Sequence, residues 1–494
     1  MLRAYGLELK AIFTDSLPYP ELTLTTNHSK MQRTQPKLNF IPPAFNPAVL
    51  RLVHWSLPIL RRFRFLPWLP ARIREIEVVN GKTLVELYHQ FQSEKIRLIL
   101  AFRHGEVDDP LSGLHLLSRE VPRIARQQGI KIQSPTHSHF MYDRGMTIWA
   151  GDWLGWLFSR IGGVPVHRGK TLDWQAIRQT REILLNGQFP LVVAPEGATN
   201  GHGEIISPLE PGTAQLAFWC VEDLAKQNRV ERVVVLPINI QYHYLNPQWS
   251  ELDRLLSQLE TDCGLSQPAI DPDPSQKPED LHYPRLLRLG EYLLTQMEQF
   301  YRDFYHCHLP LSNDSSDSQE NLTLRLEKLL DAALEVGESY FNLKKTGNFI
   351  ERCRRLEEAG WNYIYRQEPD RLKSLSPVEQ GLADWIAAEA DLRMLHMRLV
   401  ESFVAVTGTY VREKPSFERF AETSLILFDA IARIKGNKSP NRPRLGWRKS
   451  TITVGEPINV SDRASIYRQN RQSAKQAVTQ LTEDIQTALE AMII

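Results

Sequence analysis

The sequence predicts an α/β fold, layered, with a long all-helical stretch late in the chain. Strand-like and helix-like runs alternate from about Ala48 to Tyr244, as they do where a sheet is covered by helices. After Asn246 the character changes to long amphipathic repeats with apolar residues at helical spacing, broken by Pro/Asp-rich and Ser/Asp-rich linkers. A strand-like run returns only at Thr451–Val460.

In chain order, residues 1–47 read as a loosely structured leader rich in Thr, Asn and Pro. Trp55 to Ile73 alternates arginines with aromatic residues and leucines, the composition of an interfacial anchor. Met146 to Ile161 carries Trp149, Trp153, Trp156, Leu154, Leu157 and Phe158 at helical spacings, which suits either a core stripe or a membrane-facing one. Ile96 to Phe102 is a buried strand. It opens into Arg103-His104-Gly105-Glu106-Val107-Asp108-Asp109-Pro110. There a histidine and a carboxylate five residues apart suffice for a general base: Asp109 takes a hydrogen bond from one ring nitrogen of His104 and leaves the other to accept a proton. The plain alternative is that His104 caps the next helix and Asp109 lies in its solvated first turn.

Ile161–Lys170 is a glycine-punctuated strand ending in His167 and Arg168, where Gly163 allows close backbone approach and Arg168 offers a fork for phosphate. An ordinary turn before a helix is the plain alternative. Phe189–Asn200 is a strand ending in Pro195-Glu196-Gly197, and strand ends in α/β folds face ligand crevices. Arg232–Ile240 is a strand whose Pro237 predicts an edge or a strand end. Cys263–Tyr283 reads as a loop. Helices are expected at 285–304, 322–342, 349–365, 377–409 and 416–434, with a basic linker at 436–443 and an amphipathic helix over 473–492.

Taken in order, the four blocks resemble the glycerolipid acyltransferase family, which includes lysophosphatidic-acid and glycerol-3-phosphate acyltransferases. His104 and Asp109 match its H-x4-D motif, Gly163 to Arg168 its second block, Pro195-Glu196-Gly197 its P-E-G motif and Leu236-Pro237-Ile238 its fourth. The resemblance implies a mixed sheet flanked by helices over 48–245, completed by a closing strand and final helix over 447–494, so the helical stretch over 246–446 reads as an insertion. It implies transfer of an acyl group from acyl-carrier protein or coenzyme A thioester to a hydroxyl of a glycerol phosphate or lysophospholipid, in phospholipid biosynthesis or remodelling, with no cofactor or metal. His104 and Asp109 would be catalytic; Gly163, Arg168, Glu196, Gly197 and Thr199 would shape the acceptor site. The departures are His167 where the family usually has aspartate, Ala198 and Thr199 where it has threonine and arginine, and Glu210-Pro211 where it often has a basic residue before Gly212. Two cations expected to hold an acceptor phosphate are therefore missing.

Composition narrows the classes. A net charge of +1 gives no global attraction to nucleic acid. Four scattered cysteines form no zinc spacing or disulfide framework, so a reducing, intracellular setting is expected. No stretch reaches the roughly 20 apolar residues of a membrane span, so the expected location is peripheral, on the cytoplasmic face of a membrane. Two other readings remain. One is a metal-dependent hydrolase using His104, Glu106, Asp108 and Asp109, short of the further histidines such sites need. The other is a non-catalytic lipid-binding protein on a degenerate core.

Overall fold

The computed structural model describes residues 32–38, 40–63, 72–167, 173–266, 276–309, 318–366, 374–437 and 440–494. Its main sheet is built from β2 (Ile73–Val79), β3 (Ile96–Phe102), β4 (His139–Asp143), β5 (Gly163–Val166), β6 (Leu191–Val193), β7 (Arg232–Tyr244), β9 (Arg448–Val454) and β10 (Ile458–Asn459). A short pair, β1 (Gln35–Pro36) with β8 (Tyr365–Arg366), lies apart. Among the described residues the main sheet runs β2-β9-β7-β3-β6-β4-β5, with β10 also on β7. The pairs around β3 are parallel, while β9 and β10 run antiparallel to β7, so the sheet is mixed.

Every residue of β3 is buried, as a central parallel strand covered on both faces requires. On one face lie α2 (Gly81–Gln92), α3 (Asp109–His115) and α4 (Val121–Gln128). There Leu98, Leu100, Val234, Leu236, Ile238 and Ile452 meet Leu84, Tyr88 and Val121. On the other lie α7 (Trp174–Asn186), α8 (Gly212–Lys226) and, after α16 (Ala464–Tyr467), α17 (Arg471–Glu490). There Ile99, Ala101, Val233 and Val235 meet Ile183, Phe218, Leu481 and Ile485. Period-two alternation along β7 serves both layers. Local caps set the helix starts: Asp173 accepts from Ala176 N at α7, and Asn470 from Ser473 N at α17.

Pro237 corrects one expectation, because β7 is central rather than at an edge. Its carbonyl accepts from Gly455 N at 2.9 Å, so its nitrogen faces the same side. There β9 pairs with Ile238 onward and β10 with Val234 and Val235. The missing N–H therefore falls in the gap between two partner strands, where no ladder bond is lost. The sequence reading also assigned no element to β2, α2 or α9 (Trp249–Asp262).

Between β7 and β9 run α9, α10 (Pro278–Tyr305), α11 (Ser318–Tyr340), α12 (Phe349–Ile364), α13 (Pro377–Phe403), α14 (Tyr410–Glu413) and α15 (Phe417–Ile434). Their apolar stripes share a separate core with Leu256, Leu289, Leu356, Met397, Phe420 and Leu427. Capping boxes open α12 (Asn348 with Glu351) and α13 (Ser376 with Glu379). The bundle is tied to the end of β7 through Tyr244 and Trp249, whose rings pack edge-on against Phe417 at 4.9 and 5.1 Å.

Upstream, α1 (Pro47–Leu60) precedes the core. The loop before it bonds to α6 (Asp152–Arg160), which follows the short α5 (Met146–Ala150): Ala44 N donates to Ser159 O and Asn46 N to Arg160 O. In the Met146–Ile161 stripe, Leu154 is buried while Ile148, Trp153 and Trp156 are exposed. Among the described residues no helix is long and apolar enough to cross a membrane.

Candidate active site

The site forms at the carboxyl ends of β3 and β6. Register brings the two together. Ala101 pairs with Val193, so His104 and Glu196, each three residues on, leave the sheet side by side. His104 N donates to Glu196 Oε1 at 3.3 Å. His104 Nδ1 lies 3.3 Å from Asp109 Oδ2, while the His104 side chain stays partly open. With the proton on Nδ1, the ring donates to Asp109 and presents Nε2 outward.

Asp109 is not in a solvated first turn. It is 1% exposed and accepts two further bonds, from Glu106 N at 2.8 Å and from Tyr242 OH at 2.8 Å. Tyr242 comes from β7, where burial drives its phenol well above the usual range, with Asp109 and Asp108 adding to the effect. It therefore stays a hydrogen-bond donor. Ser112 Oγ bonds Tyr242 OH at 3.1 Å and takes part in a second bond with Ser450 Oγ.

The other acids of the loop are engaged differently. Asp108 is sealed and paired with Arg448 at the start of β9, whose guanidinium also lies over the Tyr242 ring at 4.6 Å. Glu106 Oε2 is 4.0 Å from Arg442 Nη1. Burial raises the Glu106 carboxyl above its ordinary range, against the pull of Arg442 and Arg448. Among the described residues no three His, Cys, Asp or Glu side chains converge as metal ligands. Of the four side chains the hydrolase reading drew on, His104 and Asp109 face each other, while Asp108 turns to Arg448 and Glu106 to Arg442.

Glu196 is 1% exposed. Its Oε2 accepts from Ser207 N at 2.9 Å and Asn200 Nδ2 at 3.3 Å, so its contacts are to its own chain. Burial raises its pKa, with Arg103 opposing. Arg103 itself is fully buried. It donates to three carbonyls of the next loop: His202 O and Ile205 O at 2.7 Å and Gly203 O at 2.5 Å. Gly197 has φ +70°, a left-handed backbone conformation that favours glycine, and lies against the Glu210 carboxylate. Thr199 is exposed next to buried Asn200. At Gly163 a Cβ would meet the Phe140 ring at 2.8 Å and Phe158 O at 3.0 Å; the glycine lets β5 pack on β4 and α6. Arg168 lies outside the described residues. His167 just before it stacks edge-on with Trp361 of α12 at 5.0 Å.

The helical bundle, to which the sequence reading gave no chemistry, reaches the loops after β6 and β5. Glu422 of α15 accepts from Gly203 N at 2.9 Å and from Tyr410 OH at 2.7 Å. Arg419 and Lys414 pair with Glu204 at 2.7 and 3.0 Å. Arg354 of α12 reaches Glu210 at 3.3 Å. Arg354 and Trp361, seven residues apart on one helix face, thus span the loops after β6 and β5.

Residues 127–241 match the family model described as Acyltransferase. The matched span holds Gly163, Glu196, Gly197 and Thr199, and begins downstream of His104 and Asp109. No curated protein matches the chain. With the motif-bearing loops brought together at one end of a mixed sheet, the match leads to one statement of kinship: the chain carries a domain of the acyltransferase family.

Proposed function

We propose that the protein is an O-acyltransferase working at a membrane surface, moving a fatty acyl group from an acyl-carrier-protein or coenzyme A thioester to a hydroxyl of a glycerol phosphate or lysophospholipid. The observation that carries this reading is the His104–Asp109 pair at the end of β3, with Asp109 buried and held from three sides. His104 Nε2 takes the proton of the acceptor hydroxyl as its oxygen attacks the thioester carbonyl. The carbon–sulfur bond then breaks, and the imidazolium returns the proton to the leaving thiolate. Asp109 fixes the tautomer and stabilises the charged ring. Glu196 and Arg103 are positioning residues: one holds the His104 amide, the other the loop at 202–205. No cofactor enters this scheme.

In this reading residues 48–245 and 447–494 form the catalytic core, and 246–446 is an insertion that walls the acceptor side. Membrane contact falls to the neighbouring surfaces of α1 and α6. Leu52, Trp55 and Ile59 are exposed at helical spacing, with Phe63 beyond and Trp153 and Trp156 on α6. Arg61 does not join them. It is buried and donates to Ile73 O and Arg74 O at 3.1 and 2.9 Å, whereas Arg51 on α1 and Arg62 just after it are exposed, and Arg64 lies outside the described residues.

The test is to incubate purified protein with labelled acyl thioesters and a panel of lysolipids and glycerol phosphate, identifying products by mass. His104→Ala is expected to lower turnover by about 10²–10⁴-fold with unchanged thermal stability. Near-normal turnover in that variant refutes the mechanism.

A further inference from the structure

Asp109 to Gln128 is one continuous helical run. α3 passes into a π turn at Leu116–Glu120 and on into α4. At about 1.5 Å per residue the run is roughly 30 Å long. Asp109 opens it, and its second half carries a row of cations. Arg119, Arg123 and Arg126 stand at helical spacing, all exposed, on the side away from buried Val121 and Ala125. Exposed Lys131 follows, and Glu120 is the one acid between residues 116 and 133. Glu120 meets Arg123 at 2.6 Å and also lies 3.4 Å from His115. Arg119 and Arg126 donate to backbone carbonyls, His54 O at 3.2 Å and Pro122 O at 3.3 Å. This shortage of carboxylates is local. In the helical bundle Arg285, Arg325 and Arg352 each meet a glutamate at 2.7 or 2.8 Å, and the whole chain carries a net charge of only +1.

The bond from Arg119 to His54 O sets the row beside α1, a helix with no acidic residue. Arg51 lies three residues before His54, on the same side of α1, and is exposed. Leu52 and Trp55 flank these positions and are 63% and 72% exposed. Cations short of acids and bare apolar side chains therefore share one stretch of surface. A nucleic acid would match the cations and leave Leu52 and Trp55 in water. A bilayer with anionic headgroups matches both: guanidinium groups take phosphates, and the apolar side chains enter the boundary with the acyl chains.

We infer that α4 and the π turn before it form an anionic-lipid face, in which Arg119, Arg123 and Arg126 take headgroup phosphates while Leu52 and Trp55 of α1 enter the bilayer beside them. The inference rests on the membrane-surface reading above and deepens it. It assigns α4, which has no part in the catalytic scheme, the choice of membrane by its charge. Because one helical run joins the row to Asp109, a bilayer seated on it is held within roughly 30 Å of the catalytic carboxylate.

The test uses the full chain and two readouts. Sedimentation with phosphatidylcholine vesicles, with and without phosphatidylglycerol, compares the parent with a variant carrying Arg119→Gln, Arg123→Gln and Arg126→Gln. The variant is expected to bind the anionic vesicles roughly a hundredfold more weakly at low salt, with a smaller loss at high salt and little change on the neutral ones. A folded variant that binds anionic vesicles like the parent overturns the proposal. So does a parent that binds an acidic carrier protein through these arginines and ignores lipid charge. Should the triple variant not fold, Arg119→Gln with Arg126→Gln leaves the pair of Arg123 with Glu120 in place. It is expected to weaken the same binding roughly thirtyfold, and unchanged binding overturns the proposal. In kinetics the triple variant should keep parental turnover on a water-dispersed acceptor and lose it on an acceptor held in anionic vesicles. Arginine-dependent vesicle binding by a protein that transfers no acyl group would keep the lipid face and reject the acyltransferase reading. Acyl transfer to a vesicle-held acceptor at parental rate in the variant would do the reverse.

Discussion

Asp109 accepts from an imidazole, an amide and a phenol, supplied by its own loop and by β7. Tyr242→Phe removes one of these donors without opening a cavity. One net hydrogen bond to a charged group is worth about 1.5–3 kcal/mol, so turnover is expected to fall roughly ten- to hundredfold through looser placement of His104. Steady-state kinetics with circular dichroism as a fold control would check it; unchanged turnover would remove Tyr242 from the positioning network. The residues legible in the sequence were those whose roles are local. His104, Asp109 and Pro195-Glu196-Gly197 sit at strand ends, and short spacing shows them. Tyr242, Arg103 and Arg448 were not legible as parts of the site, because their roles depend on register between β3, β7 and β9, across 133 residues for Tyr242 and 340 for Arg448. The use of Glu196 belongs to the same class: its partner His104 N is 92 residues away.

At the level of elements, β3, β5 and β6 were legible as short apolar runs beside glycine, proline or motif residues, and the long helices by their sustained apolar period. Pro237 misled for a reason that periodicity does not carry: a central strand can change partners at one residue, and a proline fits there. The helical bundle was visible as helices but not as a wall of the site, since its contacts use single polar side chains scattered along amphipathic stripes. Glu422 is the most testable of these. Burial lifts its pKa from 4.5 to about 8, against the hydrogen bond from Tyr410 and with Glu106 adding to the rise. A carboxyl that binds its proton more tightly when folded stabilises the protein fully below the unfolded pKa. That contribution is lost as pH climbs through about 8. Glu422→Gln stays neutral throughout, so its melting temperature relative to the parent is expected to rise from pH 5 to pH 9. A constant difference across that range would show that Glu422 does not titrate there.

For the whole molecule, the exposed apolar side chains of α1 and α6 and the cations Arg51 and Arg62 make a two-part prediction about surfaces. Changing both arginines to glutamine should weaken binding to anionic vesicles by roughly thirtyfold at low salt, at about 1 kcal/mol per cation, and matter less at high salt. Trp55→Ala with Trp156→Ala should lower binding at both. Vesicle sedimentation at two ionic strengths checks this, and equal binding of the parent protein to neutral and anionic vesicles would refute the electrostatic part. The ion pair between Asp108 and Arg448 has a further consequence, one of timing. The two residues are 340 positions apart, and a ribosome adds about 5–20 residues per second. For roughly 17–70 s a nascent chain therefore exposes its base-bearing loop with a buried-type aspartate still lacking its counter-ion. The strand that carries Arg448 thus acts as a latch on the His104-bearing loop, and a ribosome stalled before residue 448 is expected to hold a chain unable to turn over substrate.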